Sequence, residues 1–344
     1  MRHRRPEPMS PSPEKTSRQG RRPRAHVTVD VDPLRCYAEI HGLAPGALSE
    51  ESFNLVYEKG MLRFIDVFER YGIRATLFVV TSDLSSADGT DPSRRVDLKG
   101  PAPSATMFAR NRGLMREASE RGHEIASHTH SHPYDFDRLP VERQGAEIAT
   151  SVRIITEAVG RAPVGFRAPG YNFRPEMTPL LVEHGLRYDA SLLPSRGYYL
   201  LRAAMIAKIR AFGGTSGSQL GRYRNFATNN RPRIVARDGA VIRQHPISVL
   251  PGLGLPMVGT FLAMLGPERL EAALGFAAEL DPLHIEFHGV DLLDLARDGL
   301  PPELAVQSDL LIPLERKLAV MDRLFSFLDG RFEVVPLRDA DHGD

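Results

Sequence analysis

The chain of 344 residues has a single cysteine, Cys36, no tryptophan, and a formal net charge of only +1. One cysteine excludes an intramolecular disulfide framework and leaves too few thiols for a thiolate metal cluster. Any metal must then sit on imidazole and carboxylate. The near-zero net charge gives no reason to invoke nucleic acid, and 42% hydrophobic with 25% charged residues describes a soluble globular chain with a full core. No His-Glu-x-x-His occurs, which disfavours a zinc peptidase of that type. The first 24 residues hold eight Lys/Arg, two Asp/Glu and five prolines with no apolar run behind them. Residues 1–24 therefore read as a disordered basic tail without a secretory signal, and a cytoplasmic location is the expectation.

What the chain does have is imidazole in one place. Ser127-His128-Thr129-His130-Ser131-His132-Pro133 sets three histidines within five residues, just where Gly122-His123-Glu124-Ile125-Ala126 reads as a strand running out. Neutral imidazole is the commonest ligand for divalent transition metals, and a four-residue spacing brings His128 and His132 to one side of a turn. A second constellation lies earlier, in Ala25-His26-Val27-Thr28-Val29-Asp30-Val31-Asp32. There a β-branched strand carries two carboxylates, Asp30 and Asp32, on the same face.

Between and beyond these, the chain alternates strand and helix patterns. Residues 48–71 read as a helix with Ser49 as cap candidate, residues 72–80 as a Gly stop and a buried strand, and residues 82–103 as an exposed loop. Ser104 caps a helix to about Arg121. Further helices are expected at about Pro140–Gly160, Pro175–His184, Pro267–Leu280 and Pro313–Leu328. Strand segments are expected at residues 164–171, 186–191, 283–288 and 332–335. This order predicts an α/β fold built on a parallel sheet or barrel spanning residues 25–340, with the chemistry at the C-terminal strand ends. Those ends carry Asp30 and Asp32, His128 and His132, Arg167, and His288. The alternation breaks at about 195–255, which reads as an insertion.

Taken in order, Thr28-Val29-Asp30-Val31-Asp32, His128-Thr129-x-x-His132-Pro133, Arg167-x-Pro169 and a late strand ending in His288 resemble the polysaccharide deacetylase superfamily, in its branch with an Asp-x-Asp first motif. The resemblance implies a distorted (β/α) barrel and metal-dependent removal of acyl groups from sugars. By position it implies Asp32, His128 and His132 as ligands of a divalent metal, most simply Zn, with Co, Ni or Fe also suited. It implies Asp30 as general base, His288 as general acid, and Arg167 as the group holding Asp30 ionised. The backbone N–H of Gly170 would meet the oxyanion, with Tyr171 and Asp189 beside the substrate. Two departures stand out: Gly170 and Tyr171 replace an aromatic directly after Arg-x-Pro, and Tyr188-Asp189 stands where relatives often have Asp-Trp. His284 shares a strand face with His288, so the strand alone leaves the choice of acid open. His130 and His123 are assigned to packing, and Cys36 to the core or its edge.

The insertion offers a basic amphipathic stretch at residues 198–212, and Pro246–Pro267 contains no charged residue. Its prolines and glycines argue against a spanning helix, which leaves an apolar lobe walling the cleft or a surface, within residues 198–265, that rests on a membrane. The expected substrate is an amino sugar bearing an N-acetyl group, free, polymeric or lipid-linked. The alternatives are deformylation of a lipid-linked aminosugar, and a binding module that has lost catalysis.

Overall fold

The computed structural model describes residues 21–43, 48, 50–85, 104–211, 229–252 and 254–340. Most of the expected tail, Ser49, most of the 82–103 loop and the middle of the expected insertion lie outside the described residues.

The strands are β1 (Arg24–Val31), β2 (Thr76–Val79), β3 (Glu124–Ser127), β4 (Gly165–Phe166), β5 (Tyr188–Asp189), β6 (Arg233–Arg237), β7 (Ala240–Gln244), β8 (Leu283–His288) and β9 (Glu333–Val334). They form one sheet in the order β6-β7-β5-β4-β3-β2-β1-β8, with β9 beside the start of β1. Every pairing is parallel except the β6–β7 hairpin. The connecting helices are α1 (Leu34–Ile40), α2 (Glu50–Phe53), α3 (Leu62–Arg70), α4 (Ala105–Glu120), α5 (Val141–Val159), α6 (Thr178–Glu183), α7 (Arg196–Ala211), α8 (Gly259–Ala277) and α9 (Leu314–Arg331). The fold is thus α/β as expected, and its helix boundaries follow the predicted caps. Ser104 Oγ accepts the Met107 N–H at 3.2 Å, and Gly160 ends α5 at φ 72°.

The sheet does not close into a barrel by strand pairing, since β6 and β8 are its edges. An irregular segment partly spans the gap: Ile247 N–H donates to Leu192 O (2.8 Å), Ser248 N–H to His284 O (2.9 Å) and Glu286 N–H to Met257 O (2.9 Å). The stretch read as an insertion therefore needs correcting. Residues 240–244 are a sheet strand, β7, paired in parallel with β5 through Tyr188↔Arg243 and Asp189↔Gln244. Their arginine and glutamine hid a short half-buried strand from a pattern search. Among the described residues, no helix is long and apolar enough to cross a membrane; α8 breaks at Gly266, where φ is 76° and ψ is 166°.

The main core lies on one face of β1, β2 and β8, and their opposite face carries Thr28, Asp30, Thr76, His284 and Glu286. Val27, Val29, Leu77, Val79, Ile285 and Phe287 are fully buried, and each such side chain contributes about 1.5–3 kcal/mol relative to exposure. One backbone contact sets the end of β8. The chain at Val56–Met61 is a short π-helix, and a Cβ on Gly60 would stand 2.2 Å from Gly289 O, so glycine lets this turn lie directly against the residue after His288.

Candidate active site

Parallel register brings the distant motifs together. Asp30 is opposite His288 and Thr28 opposite Glu286 in the β1–β8 ladder, while His128 N–H bonds Val79 O at 3.1 Å and Arg167 N–H bonds Ser127 O at 3.0 Å. Asp30, Asp32, His128, His132, Gly170, Tyr171 and His288 line one cavity of about 430 Å³.

Asp32, His128 and His132 present three ligand atoms within 4.8 Å of one another. Asp32 Oδ1 is 3.3 Å from His128 Nε2 and 3.6 Å from His132 Nε2, and it has no hydrogen-bond partner. Donors about 2.0–2.1 Å from a tetrahedral ion stand about 3.3 Å apart, so the spacing suits a divalent metal. His128 Nδ1–H donates to the Arg167 carbonyl at 2.7 Å, which fixes the tautomer and leaves Nε2 as the lone-pair donor. The turn between the histidines is held by backbone at positive φ, 66° at Thr129 and 62° at His132. Glu147 on α5 steadies it: its carboxylate accepts the N–H groups of His130 (2.9 Å) and Ser131 (2.8 Å) and the Ser131 hydroxyl (2.7 Å).

Burial would raise the pKa of Asp32, but His132 and His128 outweigh it and hold the carboxyl below its usual range. For His128, burial is outweighed by Asp30 and Asp32, so its pKa is raised; His132 is lowered by burial to about 4. Ligand imidazoles must be neutral. With Asp32 ionised throughout, His128 is the proton competitor until His132 joins it near pH 4. Zinc affinity measured by competition titration should therefore fall about tenfold per pH unit as pH drops from about 6 towards 4, then more steeply. An affinity independent of pH across that window would count against this donor set.

The other half of the site is Arg167, with no exposed surface. Its Nη1 donates to Asp30 Oδ1 at 2.5 Å and to Glu286 Oε1 at 3.2 Å, its Nη2 to Thr28 Oγ1 and His284 Nε2 at 3.1 Å each, and its Nε to Ala190 O at 2.9 Å. The guanidinium lies 4.2 Å from the Phe78 ring centre. His284 Nδ1 donates to Pro246 O at 3.0 Å, so the ring is a neutral acceptor locked beneath the site and does not line the cavity. His288 does line it. Burial opposes the charge on His288, yet Glu286, Asp30, Asp291 and Asp32 together push its pKa up to about 9.

Glu286 is the residue the motif search missed. It is fully buried, its Oε2 accepts the Tyr171 hydroxyl at 3.0 Å, and burial drives its pKa up to about 8 against the pull of Arg167. A lone carboxylate within Leu-His-Ile-Glu-Phe-His, on the face of His284 and His288, was the available signal. Glu147 was signalled by its place on the buried face of α5 with Ile148 and Ser151.

Asp189 must be corrected. It does not line the cavity; its carboxylate is used by Ser191 Oγ and by Gln244 Nε2 (2.6 Å), and Ser191 Oγ in turn accepts Ala168 N–H at 2.7 Å. It holds the strand ends behind Arg167. His130, His123 and Cys36 are buried and outside the cavity lining. Ala75 N–H donates to His123 Nδ1 at 3.0 Å, a structural bond.

Residues 50–188 match the family model described as polysaccharide deacetylase. Over that stretch, two fifths of its length, the chain is similar to polysaccharide deacetylases. A peptidoglycan deacetylase of Helicobacter pylori (strain ATCC 700392 / 26695) is 26% identical over 167 residues, 48% of this chain and 48% of that protein. The chain thus spans about half the length of this curated relative. Among solved structures, a candidate polysaccharide deacetylase from Mycobacterium smegmatis is 16% identical over 93% of this chain and 96% of its own, with a TM-score of 0.46. A family 4 carbohydrate esterase from Streptomyces lividans is 13% identical over 90% and 88%, with a TM-score of 0.41. The helix α7 and the start of α8 supply Tyr198, Arg202, Met205, Phe261 and Met264 to the cavity wall.

Proposed function

We propose that the chain hydrolyses the N-acetyl group of an amino sugar, with a divalent metal held by Asp32, His128 and His132. The observation that carries this reading is the convergence of a three-donor set, a base and an acid on one cavity. Two imidazoles and one carboxylate at near-tetrahedral spacing suit zinc, and an open position remains for substrate. Bound there, the ion would supply Lewis acidity toward the amide carbonyl and the attacking water.

The chain's own groups do the rest. Asp30 Oδ1 is committed to Arg167, so Oδ2, which stands 3.7 Å from His128 Nε2, is the oxygen that takes the proton of the attacking water. His288, charged at neutral pH, donates its proton to the departing nitrogen. Arg167 aims the Asp30 carboxylate through its Nη1 hydrogen bond to Oδ1. The turn at Gly170 and Tyr171, with φ of 64° and 65°, borders the same cavity; Tyr171 N–H donates to Ala168 O at 3.2 Å, and the Gly170 N–H is the backbone donor for the developing oxyanion. A pure binding module needs neither base nor acid, which disfavours that alternative.

Purified zinc-loaded protein is expected to release acetate from N-acetylglucosamine oligomers, to lose that activity after chelation, and to regain it on adding zinc. Formate release from N-formyl sugars in preference to acetate would favour the deformylase reading. Release of neither would overturn the proposal.

A further inference from the structure

The cavity continues well beyond the catalytic groups. Away from them Met205, Val258, Phe261 and Met264 form an apolar stretch of its wall, while Gln307, Ser308 and Asp309 make a polar one. Past Phe261 and Met264 lies a second hollow of about 170 Å³, lined by Leu250, Leu255, Pro256, Leu262, Leu265 and Arg269 as well as by those two. Phe261 and Met264 belong to both linings, so the hollow and the catalytic cavity lie on either side of one ridge. Met264 is 58% exposed on that ridge. The walls of the hollow come largely from the uncharged run Pro246–Pro267, which the chemistry of amide hydrolysis does not use.

The lining decides what the hollow can hold. Among the described residues its lining has no carboxylate, amide or hydroxyl side chain to bond a sugar ring, and Arg269 is the one polar side chain. Such a space favours hydrocarbon. At about 170 Å³ it is too small for a folded protein segment, and the wall it shares with the catalytic cavity at Phe261 and Met264 makes part of the substrate the natural occupant. Resting on the deacetylase reading, we infer that the hollow is an aglycone subsite, which receives a hydrocarbon chain attached to the amino sugar and passing over Phe261 and Met264. The chemistry is shared by unbranched alkyl and isoprenoid chains.

The test is a series of N-acetylglucosamine glycosides with methyl, butyl, octyl and geranyl aglycones, all below their micelle concentrations, with acetate release as readout. kcat/KM is expected to rise by up to about fourfold per methylene buried until the hollow is full. The better substrate of octyl and geranyl identifies the kind of chain, and either supports the subsite. Leu255→Asp is expected to flatten the series relative to its own methyl glycoside, and Leu255→Ser to reduce the slope should the aspartate protein fail to fold. A flat series in the unmodified protein, with the methyl glycoside cleaved, overturns the subsite and leaves the deacetylase reading standing. A slope equally steep in both Leu255 variants also overturns it. No acetate from any glycoside overturns the deacetylase reading itself.

Discussion

Asp30→Asn is expected to lower kcat by about 10²–10⁴-fold, the range of a positioned general base, while zinc stoichiometry stays at the level of the unmodified protein. The proposed metal donors are Asp32, His128 and His132, so the amide leaves them in place. What it removes is the basic oxygen. The amide can still accept from Arg167 Nη1 through its carbonyl, and Glu286 Oε1, at 3.2 Å, still faces the same nitrogen. The guanidinium therefore keeps its hydrogen-bond acceptors, and the fold should survive. Parallel measurement of bound zinc and of acetate release separates loss of chemistry from loss of metal. Full activity in the Asp30→Asn protein would remove the base from Asp30 and with it the proposed mechanism.

Arg167→Ala should cost about 3–5 kcal/mol of folding stability, measured as a drop in urea unfolding free energy. Truncation leaves Asp30 and Glu286 buried at the same point with their shared cation gone, and it also strips donors from Thr28, His284 and Ala190 O. Breaking a buried pair from one side is costly because the remaining charge cannot regain its water. Arg167→Lys should recover only part of the loss. An ammonium on a flexible stem cannot supply the planar fork that reaches two carboxylates, a hydroxyl, an imidazole and a carbonyl together. A loss below about 1 kcal/mol in the alanine protein would show that the network is solvated rather than sealed.

Much of the catalytic set was legible because local spacing speaks directly about faces. Asp30 and Asp32 sit two apart on a strand, and both reach the cavity. His128 and His132 bracket a turn, and their rings lie 4.8 Å apart at an interplanar angle of 64°. The helix limits at Ser104 and Gly160 were readable for a similar reason, since capping and left-handed backbone are short-range matters. The strand β7 was not readable. Five residues that include Arg243 and Gln244 carry too weak an alternation to be told from loop.

Other assignments depended on partners that no local pattern names. Spacing left His284 and His288 equivalent, and the donor from Arg167 Nη2 with the acceptor at Pro246 O removed His284 from the chemistry. Asp189 looked like a cavity residue until Ser191 and Gln244 claimed both its oxygens. By itself, the sequence determined most of the strand and helix order and which side chains share a face, because those follow from periodicity along short stretches of chain. Only the tertiary structure decided that Asp30, Asp32, His128, His132 and His288 line one cavity, where Glu286 sits, and the second hollow beside Phe261, because each depends on the register of strands far apart in the chain.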